Sequence, residues 1–159
     1  MANDYWGTPL ALFRRIQREM DVVFTLDPCA APENRLGIEK FFTEKENGLR
    51  QSWRGEIVYM NPPYSRGNID KWTMKASEEA FARLDTVVVG LLPLRTAQWF
   101  RRSILPFAKI LQSLSDWQYL PHQYCGIYFL EKRVRFIDSK RNAPIPGSPN
   151  FDSFLAVWV

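Results

Sequence analysis

The sequence predicts an α/β fold built on one sheet that is mostly parallel, with an antiparallel strand at the C-terminal end. Three observations carry that expectation. Helical and strand-like apolar periods alternate through the first two thirds of the chain and give way to strands in the last third. Val87, Val88, Val89, Leu91 and Leu92 form an almost unbroken apolar run, the pattern of a strand buried on both faces. Two other apolar runs stop at Asp27-Pro28 and Asn61-Pro62, which would sit at strand carboxyl ends, where open α/β sheets hold ligands.

The elements follow in order. Leu10, Phe13, Ile16, Gln17 and Met20 place an apolar face on a helix over 9–20, with Thr8 as N-cap and Pro9 at the first helical position. Val22, Val23, Phe24, Thr25 and Leu26 then predict a buried strand ending at Asp27, and a shorter strand is expected at 41–43. A strand over 56–60 leads to Asn61. Ile69, Trp72, Met74, Ala76, Ala80, Phe81 and Leu84 suggest a helix over 69–84 that packs back on the sheet. The central strand covers 86–92 and is closed by Pro93, and a helix over 97–103 follows. Strands are expected at 110–114, 127–130, 134–137 and 154–159, separated by loops with Pro121, Gly126 and the cluster from Pro144 to Pro149.

Composition narrows the class. At 159 residues and 46% hydrophobic content, one compact domain over 1–159 accounts for the chain, with no internal repeat or low-complexity tail. A formal charge of +4 favours a polyanionic partner without requiring one. Cys29 and Cys125 are the only cysteines and lack a histidine pair, so neither a disulfide framework nor a metal site is expected. The start Met1, Ala2, Asn3, Asp4 has no basic-then-apolar leader, and no apolar run approaches the roughly 20 residues of a membrane span. A soluble, cytoplasmic protein with reduced thiols is the expectation.

Chemistry concentrates at Asn61, Pro62, Pro63 and Tyr64, which put a planar amide, rigid carbonyls and an aromatic face within one turn. That suits a flat, amine-bearing ring. An exocyclic amine on such a ring is a poor nucleophile because its lone pair is delocalised, and acceptors aimed at its two hydrogens pull the nitrogen toward tetrahedral geometry. The Asn61 side-chain oxygen and the Pro62 carbonyl are the two acceptors, and Tyr64 offers a face for stacking. Positive charge that develops on the amine is stabilised by carbonyl and aromatic groups, so orientation rather than a strong base does the work. The plainer alternative is a strand-terminating turn, for which asparagine and proline are both favoured.

The chain resembles the phage-type, Dam-like DNA N6-adenine methyltransferases, small members of the S-adenosylmethionine-dependent Rossmann-like class. Trp6, Gly7, Thr8, Pro9 is similar to that family's Trp-x-Thr-Pro opening. Leu26, Asp27, Pro28, Cys29 and Ala30 with Glu33 and Asn34 resemble its Leu-Asp-x-x-Ala segment, and Phe41, Phe42, Thr43, Asn47, Gly48, Leu49 and Trp53 continue it. Leu91, Leu92, Pro93 with Trp99 and Phe100, then Arg133, Val134, Arg135, Phe136 before Pro144, resemble the closing segments. The resemblance implies a Rossmann-like methyltransferase sheet and methyl transfer from S-adenosylmethionine to adenine in DNA. It implies donor contacts at Trp6, Thr8, Pro9, Asp27, Pro28, Cys29 and Asn47, with Asn61, Pro62, Pro63 and Tyr64 at the reacting amine. A target adenine flipped out of the duplex and a phage protein acting in the host cytoplasm follow from it too. Two departures stand out: Asn47 replaces a frequent aspartate, and no glycine-rich loop follows Asp27. The short span from Asp27 to Asn61 lets Asp27 end either the first or the second strand of the standard sheet, and the first is favoured.

Other candidates have bland counterparts. Asp27 can cap the turn before Pro28, Trp6 can pack under the first helix, and Glu39 and Glu46 are solvated side chains before they are ribose ligands. His122 lacks a visible partner. Basic residues gather at Arg14, Arg15 and Arg18, at Arg95, Arg101 and Arg102, and at Lys132, Arg133, Arg135, Lys140 and Arg141; the last group, with Tyr119, Tyr124 or Tyr128, could meet nucleic acid. Two alternatives stay open, an RNA or other planar-amine methyltransferase and a non-catalytic nucleic-acid binder of the same fold.

Overall fold

The computed structural model describes residues 6–138, 141, 143–147 and 149–159. β1 (Trp6–Gly7) leads into α1 (Leu10–Met20), and β2 (Leu26–Asp27), β3 (Lys40–Phe41) and β4 (Ile57–Met60) follow. Then come α2 (Asn68–Ala82), β5 (Val87–Pro93), α3 (Gln98–Ser103), β6 (Ala108–Ile110), β7 (Cys125–Phe129), β8 (Ile137–Asp138), β9 (Ala143–Pro144) and β10 (Ser153–Trp158). Seven strands make one sheet in the order β3-β2-β4-β5-β10-β7-β6. The β2/β3, β2/β4, β4/β5 and β6/β7 pairings are parallel, whereas β10 runs antiparallel to β5 and β7. The fold is therefore α/β with a mostly parallel sheet. Its antiparallel strand is the last in the chain, as predicted, and lies inside the sheet between β5 and β7.

Strand order reverses between β2 and β4: the chain leaves β2 for β3 on one side and resumes with β4 and β5 on the other. Such a switch point opens a crevice at the strand carboxyl ends. Asp27 closes β2 and Asn61 directly follows β4, so the two proline turns face each other across it.

β10 is buried along its whole length and pairs with β5 from Ser153↔Pro93 to Trp158↔Val88. Gly90 explains how that face closes. A Cβ there would come within 3.1 Å of Met60 Cε and 3.2 Å of the Trp158 ring, so the one glycine in the β5 run makes room for two large side chains. α1 buries Phe13, Ile16 and Met20, a helical stripe, and Phe13 meets Tyr59 edge-on. α2 buries Ile69, Trp72, Thr73, Ala76 and Ala80 and packs on β5, β10 and α3.

Several expectations are corrected. Pro9, not Thr8, occupies the N-cap of α1, and the Thr8 hydroxyl instead bonds Tyr59 Oη at 2.7 Å. Of residues 22–26 only Leu26 belongs to a strand; Val23 is exposed, and Phe24 packs against Phe13 and Tyr59 because the chain is still crossing from the helix to the sheet. Of residues 110–114 only Ile110 is in a strand: it ends β6, and Leu114 opens the 3₁₀ helix Leu114–Tyr119, whose Trp117 Nε1 donates to the Met20 carbonyl at 2.8 Å. Of residues 134–137 only Ile137 is in a strand, while Val134 and Phe136 are buried in the core. An antiparallel sheet of β1, β8 and β9 was not foreseen; it sets Trp6 opposite Asp138. No helix among the described residues is long and apolar enough to cross a membrane. Met1 to Asp4 and Lys140 lie outside the described residues.

Candidate functional site

A cleft of about 790 Å³ lies over the switch point. It is lined by Trp6, Gly7 and Thr8, by the loop from Asp27 to Leu36, by residues 43–45 and 47–49, and by Asn61, Pro63, Asn68 and Trp72. Its size suits a nucleotide-like small molecule.

The Asp27 turn forms one wall. Asp27 is buried and accepts a hydrogen bond from the Cys29 N–H at 3.1 Å, so it does cap its turn while lining the cleft. Burial raises its pKa to about 7, an effect the Cys29 N–H only partly offsets. Burial, reinforced by the Asp27 charge, likewise pushes the Cys29 thiol well above its usual range, so it stays protonated. Gly48 holds the adjoining wall in place. A Cβ at this position would stand 1.9 Å from the Pro28 carbonyl oxygen, so the 3₁₀ helix Gly48–Arg50 can approach the Asp27 loop only with glycine there. Asn47 precedes it in the left-handed conformation, φ 55°. Trp53 Nε1 donates to the Gly48 carbonyl at 2.9 Å, and its ring stacks on Trp72, which reaches the cleft.

The Asn61 turn forms the opposite wall. Asn61 Nδ2 donates to the Trp6 backbone carbonyl at 2.7 Å, which fixes the amide so that Oδ1 is left buried and without a partner. Tyr64 is buried; its hydroxyl donates to the Leu91 carbonyl at 2.6 Å and so ties the turn to β5. Burial raises the Tyr59 and Tyr64 hydroxyls as well. Both remain neutral.

A second cleft of about 820 Å³ adjoins the first at Trp6 and is lined by Tyr64, Ser65, Arg66, Arg95, Trp99, Phe151 and their neighbours. Trp6 does not pack under α1: its ring stacks on Phe136 at 5.1 Å and Phe151 at 5.4 Å. Tyr64 meets the same two phenylalanines edge-on, and the Arg95 guanidinium lies 5.7 Å above the Phe151 ring. Trp6 Nε1 is buried and unpartnered.

The structure thus brings Trp6, Thr8, Asp27, Pro28, Cys29, Asn47, Asn61 and Pro63 to one cleft and Tyr64 to its neighbour, while Pro9 and Pro62 line neither. Glu39 and Glu46 also stay out; Glu46 accepts from the Thr43 N–H at 2.9 Å and from its hydroxyl at 3.0 Å. Sequence reasoning missed Arg35, Trp72, Phe151 and the placement of Asn34. Among the described residues no group of three or more His, Cys, Asp or Glu side chains is placed to hold a metal ion. In the basic groups, Arg15 pairs with Glu19, Arg133 with Asp152 and Arg141 with Asp138.

A family model described as DNA N-6-adenine-methyltransferase (Dam) matches residues 1–157. The chain is similar to the DNA N-6-adenine-methyltransferase of Haemophilus phage HP1 (strain HP1c1), 32% identical over 98 residues that make up 62% of this chain and 55% of that one. It is 34% identical over 149 residues to the DNA N-6-adenine-methyltransferase of Escherichia phage T1, 92% of this chain and 59% of the relative. The matched stretch is thus little more than half the length of each relative. No solved structure matches it.

Proposed function

Because this chain belongs to the DNA N-6-adenine-methyltransferase (Dam) family, we propose that it moves a methyl group from S-adenosylmethionine to the exocyclic amine of adenine in DNA. The observation that carries the proposal is Asn61, whose Nδ2 is committed to the Trp6 carbonyl while Oδ1 waits buried without a donor. A buried acceptor left unpaired costs about 1–3 kcal/mol, and the amine of a flat base is the donor that would relieve it.

The residues of the first cleft fit the methyl donor. Asp27 is a buried carboxylate at a strand carboxyl end, Thr8 is anchored on Tyr59, and two further polar atoms, on Asn34 and Arg35, are buried without partners. Trp6, Thr8, Asp27, Pro28, Cys29 and Asn47 hold it; Pro9 serves by turning the chain into α1. When bound, S-adenosylmethionine supplies a methyl group made electrophilic by a sulfonium. Asn61 Oδ1 accepts one hydrogen of the adenine amine, which turns the nitrogen lone pair toward the methyl; Pro62, buried and lining neither cleft, serves by fixing the turn that aims Asn61. The Asn61 hydrogen bond strengthens as positive charge grows on the amine, so it stabilises the transition state more than the ground state. The methylated amine is strongly acidic and gives its extra proton to water, so no protein base is needed and the Cys29, Tyr59 and Tyr64 hydrogens stay in place. Tyr64 supplies the stacking face once Phe151 withdraws from the second cleft, and the adenine reaches it flipped out of the duplex, at a cost of a few kcal/mol.

The sheet is read as a Rossmann-like methyltransferase sheet in which Asp27 ends the first strand, since β2 is the first strand of that sheet in the chain and the point where strand order reverses. One domain spans 1–159, and the protein works in the cytoplasm of a phage-infected host. The unpaired acceptor of Asn61 at the strand carboxyl end favours an enzyme over a non-catalytic binder of the same fold. The test is transfer of labelled methyl from S-adenosylmethionine to unmethylated DNA beside an RNA substrate, read by nucleoside mass spectrometry. N6-methyladenine from DNA is expected. Product on RNA alone, or on neither, overturns the proposal.

A further inference from the structure

We propose that Arg35 recognises the carboxylate at the amino-acid end of the methyl donor, an assignment that rests on the reading of the first cleft as the donor site. Arg35 lines that cleft, and its Nη1 is buried without a hydrogen-bond partner. A guanidinium nitrogen so placed is costly unless something arrives to pair with it.

The loop that carries Arg35 is already tied down. Asn34 sits in the left-handed region at φ 44°, its N–H donates to the Ala31 carbonyl at 2.9 Å, and its Nδ2 donates to the Ile38 carbonyl at 3.0 Å. Gly37 N–H closes the turn on the Asn34 carbonyl at 3.0 Å. Those bonds leave Asn34 Oδ1 buried and unpaired beside Arg35, so a donor and an acceptor are both presented to the cleft from a fixed backbone.

The protein's own carboxylates do not take the role. No ion pair joins Arg35 to an acid among the described residues: Glu33 and Glu44 are exposed at the rim, and Asp27 has one oxygen committed to the Cys29 N–H. Lys45, the other cation of the lining, is exposed and keeps its water. An amino-acid end carries an ammonium and a carboxylate together, and this cleft offers Asp27 for the one and the planar fork of Arg35 for the other.

The test compares S-adenosylmethionine with its decarboxylated analogue, which keeps the sulfonium and the amine, by calorimetry on wild type, Arg35→Ala and Arg35→Lys. Wild type is expected to prefer the intact donor by roughly tenfold or more. Arg35→Ala should lose that preference by weakening for S-adenosylmethionine alone, and Arg35→Lys should keep part of it, which also shows that the fold tolerates the change. Equal weakening toward both ligands, or a preference that survives in Arg35→Ala, overturns the assignment and leaves the donor site standing. Binding of neither ligand by wild type overturns the donor site itself. Binding to a DNA duplex should be unchanged in both variants; a loss there with the donor preference intact would give Arg35 to a phosphate instead and overturn the proposal.

Discussion

The two clefts that meet at Trp6 have nearly the same volume, about 790 and 820 Å³, but the first leaves more of its buried polar atoms unpaired and the second is filled by aromatic rings. Around the first, Asn34 Oδ1, Arg35 Nη1 and Asn61 Oδ1 are buried without partners. Around the second, the Tyr64 hydroxyl is bonded to Leu91, and Phe136 and Phe151 close on the rings of Trp6 and Tyr64. On the proposed reading the first cleft is built in advance for a small polar ligand, since its unpaired atoms already hold their positions. The second is filled by its own aromatic rings, although Trp6 Nε1 is left unpaired there, so whatever enters it must displace side chains first. Donor before base is the order that this difference predicts.

The largest expected effect breaks the first cleft's link to the chemistry. Asn61→Ala should lower turnover about 10²- to 10³-fold, as removal of one aimed polar group does elsewhere, while donor affinity measured by calorimetry stays within a few-fold. Retained turnover would remove Asn61 from the mechanism. Asn61→Asp sharpens the point. Its second oxygen would face the Trp6 carbonyl, acceptor against acceptor, unless the carboxyl is protonated. Burial favours the protonated form, so the variant's turnover relative to wild type should rise as pH falls from 8 to 6. A flat ratio across that range would mean that the Trp6 carbonyl does not select the amide.

Asp27 tests the same cleft without its ligand. Its folded-state pKa, about 7, is above the unfolded value, so the stability it contributes is fully present below pH 4 and is lost as pH rises through about 7. Asp27→Asn cannot ionise and keeps an acceptor for the Cys29 N–H. The ligand-free variant should therefore match wild type near pH 4 and exceed it at pH 8, by about 4 kcal/mol at most. Denaturant titrations at the two pH values check this, and donor affinity should fall in the same variant. Parallel stability curves would mean that Asp27 is hydrated and not buried as described.

How much of this was legible follows from what each residue's role depends on. Val87 to Leu92 and the Asp27 and Asn61 turns were readable because burial on both faces and a strand end leave local marks. Residues 22–26 have the same apolar composition, but Phe24 spends it on Phe13 and Tyr59 and not on a strand. The two-residue strands β1, β8 and β9 are too short to show a period. Trp6 and Asn61 were both singled out, yet nothing local joins a backbone carbonyl at 6 to an amide at 61. Arg35 left no signal at all, since what marks it is an absent partner in three dimensions. Gly48 resembled a family position, and the reason for it appears only where Pro28 comes against it.

The smallest expected effect belongs to the second cleft. Tyr64→Phe removes the hydroxyl that donates to Leu91 and keeps the ring that meets Phe136 and Phe151. Leu91 also lies in the β5 strand opposite Leu155, so losing this donor should cost about 1 kcal/mol in a denaturant titration, and not the full penalty of a stranded group. If the ring is what a base uses, turnover on DNA should hold within a few-fold and the change should appear as stability alone. A Tyr64→Phe protein with native stability and strongly reduced turnover would mean that the hydroxyl leaves Leu91 and works on the substrate. The second cleft would then offer a polar group to its ligand after all, and the contrast with the first would be one of occupancy by its own side chains and not of kind.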